Sequence, residues 1–152
     1  TRKSTSGGII MLGEHPVKSW SINQATVALS SGEAEYYGII KGATIGLGVK
    51  NMLGELGVQV EIICIETDAS AAVGICHRLG VGKLRHIEVC KLWIQEQVAL
   101  GNIKVSKIAG KDNQADILTK HVPRDILDFH TKRLSSRISQ GRHELMPRLT
   151  TL

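Results

Sequence analysis

The spacing of apolar and polar residues near the start of the chain predicts a β-hairpin followed by a long helix. Segments over 8–12 and 17–21 have the composition of strands, and the residues between them form a turn of hairpin length. Ser30, with Glu33 three residues later, is a capping box, which marks the first turn of a helix. Gly57 is a typical helix stop, so we expect one helix from Ser30 to about Gly57.

The predicted long helix contains an unusual number of glycines. Each glycine inside a helix costs roughly 0.8–1 kcal/mol relative to alanine. Gly38, Gly42 and Gly46 recur at four-residue spacing, which places them on one face, and Gly48 follows two residues later. Close packing of that face against a sheet is one explanation. Decay of an unselected sequence is the other, and the sequence does not separate the two.

The remaining elements alternate between strands and helices, which indicates a mixed α/β domain. The near-continuous apolar run over 58–65 suits a strand buried on both faces, and the alternating run over 103–108 suits a second strand. The tail over 139–152 has no periodicity, so we expect a folded domain over 1–138 and a disordered tail. Helices are predicted over 69–79, 83–100, 114–120 and 125–138.

Length and composition limit the class of protein. With 152 residues, of which 42% are hydrophobic and only 3% aromatic, the chain suits a single globular domain with an aliphatic core. It has no signal peptide and no apolar run near the roughly 20 residues that span a membrane. We therefore expect an intracellular protein of the cytoplasm or nucleus. The chain begins at Thr1 without an initiator Met, and we interpret it as a piece of a longer polypeptide.

The cysteines indicate free thiols. There are three, Cys64, Cys76 and Cys90, an odd number without CxxC spacing, which fits a reducing compartment. A zinc site built from Cys76, His77, His86 and Cys90 is an alternative. Its spacing matches no common zinc pattern, and cysteine is also one of the residues most often buried.

The formal net charge of +5 is unevenly distributed along the chain. Up to His77 there are five Lys and Arg against seven Asp and Glu, and from Arg78 onward there are fourteen against seven. A basic second half can face a polyanion, although an ordinary solvated surface explains the same charges. An acidic cluster within a basic chain favours nucleic acid, because a nuclease needs both. The residues that we expect to contact nucleic acid are Lys83, Arg85, Lys111 and Lys120.

Three carboxylates lie at the ends of predicted elements, where a fold can gather them into one site. Glu35 lies in the first turns of the long helix, Asp68 follows the apolar strand, and Asp116 opens the late helix. Glu33 is not a candidate metal ligand, because the capping box already explains this residue. Oxygen ligands of this kind suit Mg²⁺. Two structural alternatives stay open: Asp68 as the N-cap of the next helix, and Asp116 as a first-turn acid that complements the helix dipole.

Four sequence blocks resemble a known family. TRKSTSG over 1–7, TVALSSGEAEY over 26–36, RHIE over 85–88 and ADILTK over 115–120 look like the ribonuclease H region of copia-type retrotransposon polyproteins, in the same order. The resemblance covers 1–129. It implies a ribonuclease H-like mixed sheet of five strands flanked by helices. It also implies cleavage of the RNA strand of RNA–DNA hybrids during reverse transcription, with two Mg²⁺ or Mn²⁺ ions held by four carboxylates.

By position, the resemblance implies that Glu35, Asp68 and Asp116 are catalytic residues and three of the four metal ligands. His86 keeps the position of a family histidine; a general-acid role and a surface or substrate-facing role both stay open. The fourth ligand, an aspartate of the family's first and central strand, would precede Thr1. We therefore expect this chain to lack that strand and that ligand, and to be inactive alone.

The resemblance also implies partners. We expect an RNA–DNA hybrid and the reverse transcriptase region of the same polyprotein as partners, with no membrane and no small-molecule cofactor. Two other classes of function stay open: a nucleic-acid-binding module without catalysis, and an inactive transposon remnant.

Overall fold

The computed structural model of the protein describes residues 3–80, 82 and 86–136. This part of the chain is mixed α/β, with four α-helices and two small sheets, and it is compatible with a ribonuclease H-like fold, which confirms the predicted fold class. The elements are β1 (Thr5–Leu12), β2 (His15–Asn23), α1 (Ser31–Glu55), β3 (Ile63–Thr67), α2 (Ser70–His77), α3 (Trp93–Ala99), β4 (Ile103–Lys107) and α4 (Arg124–Arg133), with short 3₁₀ helices at Val89–Leu92, Gly110–Asp112 and Gln114–Leu118.

The predicted hairpin is confirmed, and its strands are longer than the pattern indicated. β1 and β2 pair antiparallel from Thr5 opposite Asn23 to Leu12 opposite His15. The turn between them needs a left-handed residue, and Gly13 supplies it with φ of 61°.

The second sheet consists of β3 and β4, which run parallel with Ile63 opposite Ile103. The predicted strand over 58–65 is wrong in its bounds, because β4 begins at Ile103 and leaves the residues before Ile63 without a partner strand. Val58 and Ile62 are exposed as a result. The expectation of burial on both faces is also wrong, since Cys64 and Glu66 are exposed.

Helix α1 packs against both sheets through its glycine face. It begins as predicted, with the Ser30 hydroxyl accepting a hydrogen bond from the backbone N–H of Glu33 at 3.1 Å. A β carbon built at Gly46 would lie 3.3 Å from Ile63 Cγ2, closer than side chains normally approach. The packing explanation is therefore confirmed at Gly46. Gly38 and Gly42 face Ser6 and Trp20 at ordinary contact distances of 3.8 and 3.9 Å.

The two sheets are separate in the described part of the chain, where no ladder joins β1 or β2 to β3 or β4. The residues of α1 that face β1 and β3, Gly38 and Gly46, are eight positions apart, about 12 Å along a helix axis.

The helices of the second half are shorter than predicted. α2 ends at His77 because Arg78 is extended, with φ −94° and ψ 163°. The predicted helix over 83–100 is wrong at its start: residues 83–85 lie outside the described part, and Glu88 is extended with φ −58° and ψ 134°. Helical structure follows only from Val89, first as a 3₁₀ turn and then as α3.

Two further boundaries also differ from the prediction. The segment predicted as a helix over 114–120 is a five-residue 3₁₀ helix, Gln114–Leu118. The last helix, predicted over 125–138, spans Arg124–Arg133 and ends where Ser135 takes a left-handed φ of 50°. The predicted disordered tail over 139–152 lies outside the described residues.

The core lies between β3–β4 and the helices α1, α2 and α3. No helix within the described ranges is long and apolar enough to cross a membrane. The buried core residues are Tyr36, Ile39, Ala43, Ala72, Ile75, Cys76, Ile87, Ile94, Ile103 and Val105.

Candidate functional site

Asp68 and Asp116 meet at the side chain of Asn113. Asp68 follows β3, and Asp116 lies in the 3₁₀ helix Gln114–Leu118. The Asn113 amide nitrogen donates to Asp68 Oδ1 at 3.2 Å and to Asp116 Oδ1 at 3.2 Å. The two carboxylate oxygens are therefore within twice that distance of each other, although the residues come from separate elements.

Local structure explains how Asn113 is oriented. Its carbonyl oxygen Oδ1 accepts a hydrogen bond from the backbone N–H of Ala115 at 3.1 Å, which makes Asn113 the N-cap of the 3₁₀ helix. Because the carbonyl end is held by the cap, the amide end points at the two aspartates. The alternative role for Asp68 is not seen, since the N-cap of α2 is Ala69, which has no side-chain cap. Asp116 does lie in the first turn of its helix.

Glu35 belongs to the same electrostatic cluster. Its residue is exposed overall, but the protein around the carboxyl group removes water, which raises its pKa. The negative charges of Asp68 and Asp116 raise the pKa further, and the positive charge of Lys120 opposes them. The structure therefore brings the three predicted carboxylates into one neighbourhood.

A lysine neutralises part of this cluster. Lys120 Nζ lies 3.0 Å from Asp116 Oδ2, and this hydrogen bond raises the pKa of Lys120. Within the described ranges, no three His, Cys, Asp or Glu side chains converge closely enough to hold a metal ion. The carboxylate donors have the right chemistry for Mg²⁺, and the Asn113 amide and the Lys120 ammonium group lie in the positions beside Asp68 and Asp116.

His86 binds Glu33 rather than one of the three carboxylates. Its Nε2 lies 2.9 Å from Glu33 Oε2, and the same carboxylate accepts hydrogen bonds from the Tyr37 hydroxyl at 2.7 Å and the Leu29 backbone N–H at 2.9 Å. Burial acts to raise the pKa of Glu33, but these hydrogen bonds outweigh it and the pKa is lowered. The Ser30 half of the capping box is thus confirmed, whereas the reciprocal hydrogen bond of Glu33 comes from the backbone N–H of Leu29, the residue before the N-cap.

The residues predicted to contact nucleic acid fall into three groups. Lys111 is exposed beside the carboxylate cluster, while the ammonium group of Lys120 is paired with Asp116. Lys83 and Arg85 lie outside the described residues. Cys76, one of the four residues of the alternative zinc site, is buried in the core, and burial raises the pKa of its thiol to about 12.

Sequence reasoning missed two contacts that organise this region. The bridge from Asn113 to the two aspartates had one usable signal, the position of an asparagine three residues before Asp116 at a helix start. The contact between His86 and Glu33 had no sequence signal, because the two residues are 53 positions apart. The capping box already explained Glu33.

The structure thus defines a mixed α/β domain with a carboxylate cluster at the end of a parallel strand. The chain is 33% identical over 125 residues to the retrovirus-related Pol polyprotein from transposon TNT 1-94 of Nicotiana tabacum, which covers 82% of this chain and 9% of that protein. It is 32% identical over 126 residues to those from transposons RE2 and RE1 of Arabidopsis thaliana, which covers 80% of this chain and 8% of each protein. The relatives are therefore plant-transposon Pol polyproteins, of which the chain spans less than a tenth. No family model matches the chain, and no solved structure matches it significantly.

Proposed function

We propose that this chain is the ribonuclease H-like region of a copia-type Pol polyprotein, in its complete form an endonuclease for the RNA strand of RNA–DNA hybrids. The observation that supports the proposal most directly is the meeting of Asp68 and Asp116 at Asn113. Glu35 joins them closely enough for their charges to raise its pKa. Carboxylates from a strand end and two helix starts are a donor set for hard divalent cations.

The cation of this proposal is Mg²⁺ or Mn²⁺, with two ions in a complete domain. Glu35, Asp68 and Asp116 are the residues that would hold it. Asn113 and Lys120 would first have to move away from the two aspartates, since they occupy the positions beside the carboxylate oxygens. We therefore expect no cleavage by this chain as it stands.

The proposed substrate is consistent with the charge of the chain. The net charge of +5 and the excess of basic residues after His77 favour a polyanion. Affinity for a hybrid would fall with added salt, because binding of lysine and arginine to phosphates releases counterions. The reverse transcriptase region of the same polyprotein is the proposed protein partner, and the interior of the cell the proposed location.

The direct test is cleavage of a labelled RNA–DNA hybrid in Mg²⁺. One arm uses this chain, and the other a chimaera in which the segment preceding the matched region of a related Pol polyprotein is fused before Thr1. We expect cleavage by the chimaera only, and its loss in Asp68→Asn. Glu66→Gln is the matched control, because Glu66 is an exposed acid on β3, the strand that Asp68 follows. A chimaera without Mg²⁺-dependent activity would refute the enzymatic proposal.

A nucleic-acid-binding module without catalysis is the second candidate. The ion pair between Lys120 and Asp116 favours it, because a neutralised carboxylate repels a phosphate backbone less. Salt-sensitive binding of the hybrid by both proteins, without cleavage by either, would support this candidate. Neither binding nor cleavage would instead favour an inactive remnant.

A further inference from the structure

A cavity of about 440 Å³ adjoins the carboxylate cluster. It shares Asp116 with the cluster, and a β carbon built at Gly110, on its wall, would lie 3.4 Å from Asp68 Oδ2. Cavities of roughly 300–1,000 Å³ are the usual size for small-molecule and cofactor sites. The residues that line it are Gly110, Lys111, Asp116, Val122, Asp125, Ile126, Phe129 and His130.

One side of the cavity is apolar. Val122, Ile126 and Phe129 form it, and Ile126 and Phe129 keep 40% and 50% of their surface exposed. The Phe129 ring is held from two directions, by an edge contact with His130 at 5.2 Å and by the Arg133 guanidinium at 5.5 Å. A positioned aromatic ring beside aliphatic side chains suits a flat, apolar ligand surface.

One residue of the cavity wall, His130, has a ring nitrogen without a hydrogen-bond partner among the described residues. His130 is only 3% exposed, and its Nδ1 has no hydrogen-bond partner within the described residues. Buried polar atoms in folded proteins are nearly always paired, and an exception needs an explanation. His130 lines the cavity, and this nitrogen is itself inaccessible to solvent.

The polar rim selects the chemistry of the ligand. Asp125 offers hydrogen-bond acceptors and Lys111 offers a cation, while both carboxylate oxygens of Asp116 already accept hydrogen bonds from Asn113 and Lys120. A fitting ligand therefore combines a planar ring, N–H donors and an anionic group. We propose that the cavity binds a nucleotide of the nucleic-acid strand, with its base against Phe129 and Ile126 and its phosphate toward Lys111. This inference rests on the proposed function and adds a subsite for one unpaired base next to the carboxylates.

The test uses the full chain and adenosine 5′-monophosphate, measured by saturation-transfer NMR and equilibrium dialysis. Phe129→Ala should weaken binding about tenfold, which is the loss of one base–aromatic contact. Ile126→Ala should weaken it about threefold to fivefold. Ile22→Ala is the matched control, because Ile22 is 42% exposed on β2 and does not line the cavity, and we expect less than about a twofold change.

Circular dichroism verifies that each variant is folded. Because two cavity variants are used, Phe129→Ala and Ile126→Ala, the test remains valid if one of them does not fold. Ribose 5-phosphate, which lacks the base, should compete poorly. Equal competition by ribose 5-phosphate, equal affinities of all three variants, or the lack of saturable binding would each overturn the inference. Nucleotide binding without hybrid cleavage by the chimaera supports the cavity and refutes the enzyme. Cleavage without nucleotide binding refutes the cavity alone.

Discussion

The imidazole Nε2 of His86 lies 2.9 Å from the carboxylate Oε2 of Glu33, which joins the segment before α3 to the first turn of α1. A second contact ties the same two regions together, because the Tyr36 hydroxyl donates to the backbone carbonyl of Lys91 at 2.7 Å. Glu33 is 1% exposed and keeps its charge through three hydrogen bonds. This carboxylate therefore stabilises the fold, whereas Glu35, two residues later, belongs to the candidate site.

Glu33→Gln should lower the free energy of unfolding by about 1–3 kcal/mol near neutral pH, because an amide cannot satisfy all three donors of Glu33. The folded-state pKa of Glu33 lies below its ordinary value of 4.5. Its stabilising contribution is therefore complete above that value and is lost as the pH falls through the folded pKa. Urea unfolding at pH 7 and at pH 3–4 measures this; a difference between wild type and variant that grows at low pH would contradict it.

Glu35→Gln should have the opposite effect on stability. The folded-state pKa of Glu35 is raised, so its charge opposes folding above that pKa, and the penalty disappears as the pH falls below the ordinary value of 4.5. We expect the variant to be more stable than wild type by about 0.5 kcal/mol at pH 7, a small value because the side chain is exposed. Thermal unfolding, with Glu66→Gln as the surface control, measures it. A destabilised Glu35→Gln would show that the three carboxylates do not repel one another.

Asn113 has two separable roles, and two substitutions distinguish them. Serine retains the N-cap but is too short to bridge the aspartates, whereas alanine loses both functions. Asn113→Ala should therefore be less stable than Asn113→Ser by about 1 kcal/mol, the usual value of a cap. Loss of the bridge leaves Asp68 and Asp116 to repel each other, so 1 M salt should restore part of the stability lost in both variants. Equal stabilities of wild type and Asn113→Ser would mean that the bridge contributes nothing.

The glycines of α1 should respond unequally to alanine. A β carbon at Gly48 meets no atom within 4 Å, so Gly48→Ala should gain about 0.8–1 kcal/mol from helix propensity. At Gly46 the new methyl group would lie 3.3 Å from Ile63 Cγ2, and the gain should be smaller or reversed. Urea unfolding of the two variants provides the comparison. A larger gain at Gly46 than at Gly48 would show that β3 yields easily to the helix.

The sequence predicts elements well where the signal is local. The start of α1 follows from Ser30 and Glu33, and the hairpin turn follows from Gly13, because each depends on residues a few positions apart. The bounds of β3 do not follow from local signals, because a strand extends only as far as its partner strand and β4 begins at Ile103. The predicted start of α3 is also wrong: the helical sequence pattern continues through Glu88, but the backbone of this residue is extended.

The candidate site was predictable to a different extent. The positions of Glu35, Asp68 and Asp116 at element ends, together with the resemblance, identify three acids that the fold does gather. The sequence does not show which side chains lie between them, because it explains Asn113 as a helix cap and Lys120 as a surface lysine that follows the same helix. Tertiary packing sets the contact of Asn113 with Asp68, whereas the contacts of Asn113 and Lys120 with Asp116 span only three and four residues.

The separation of the two sheets has a consequence for the way the molecule opens. The β1–β2 hairpin can detach from α1 without breaking any hydrogen bond of the β3–β4 ladder, since the described strands share none between sheets. Most of β2 is exposed, so the hairpin is held to the rest of the chain mainly through the partly buried β1 and through hydrogen bonds such as that from Ser21 Oγ to the Leu118 carbonyl. In native-state hydrogen exchange the hairpin amides should therefore exchange as a unit of their own, at a lower free energy than the amides of β3 and β4. The hairpin would then unfold and refold while the β3–β4 ladder stays intact.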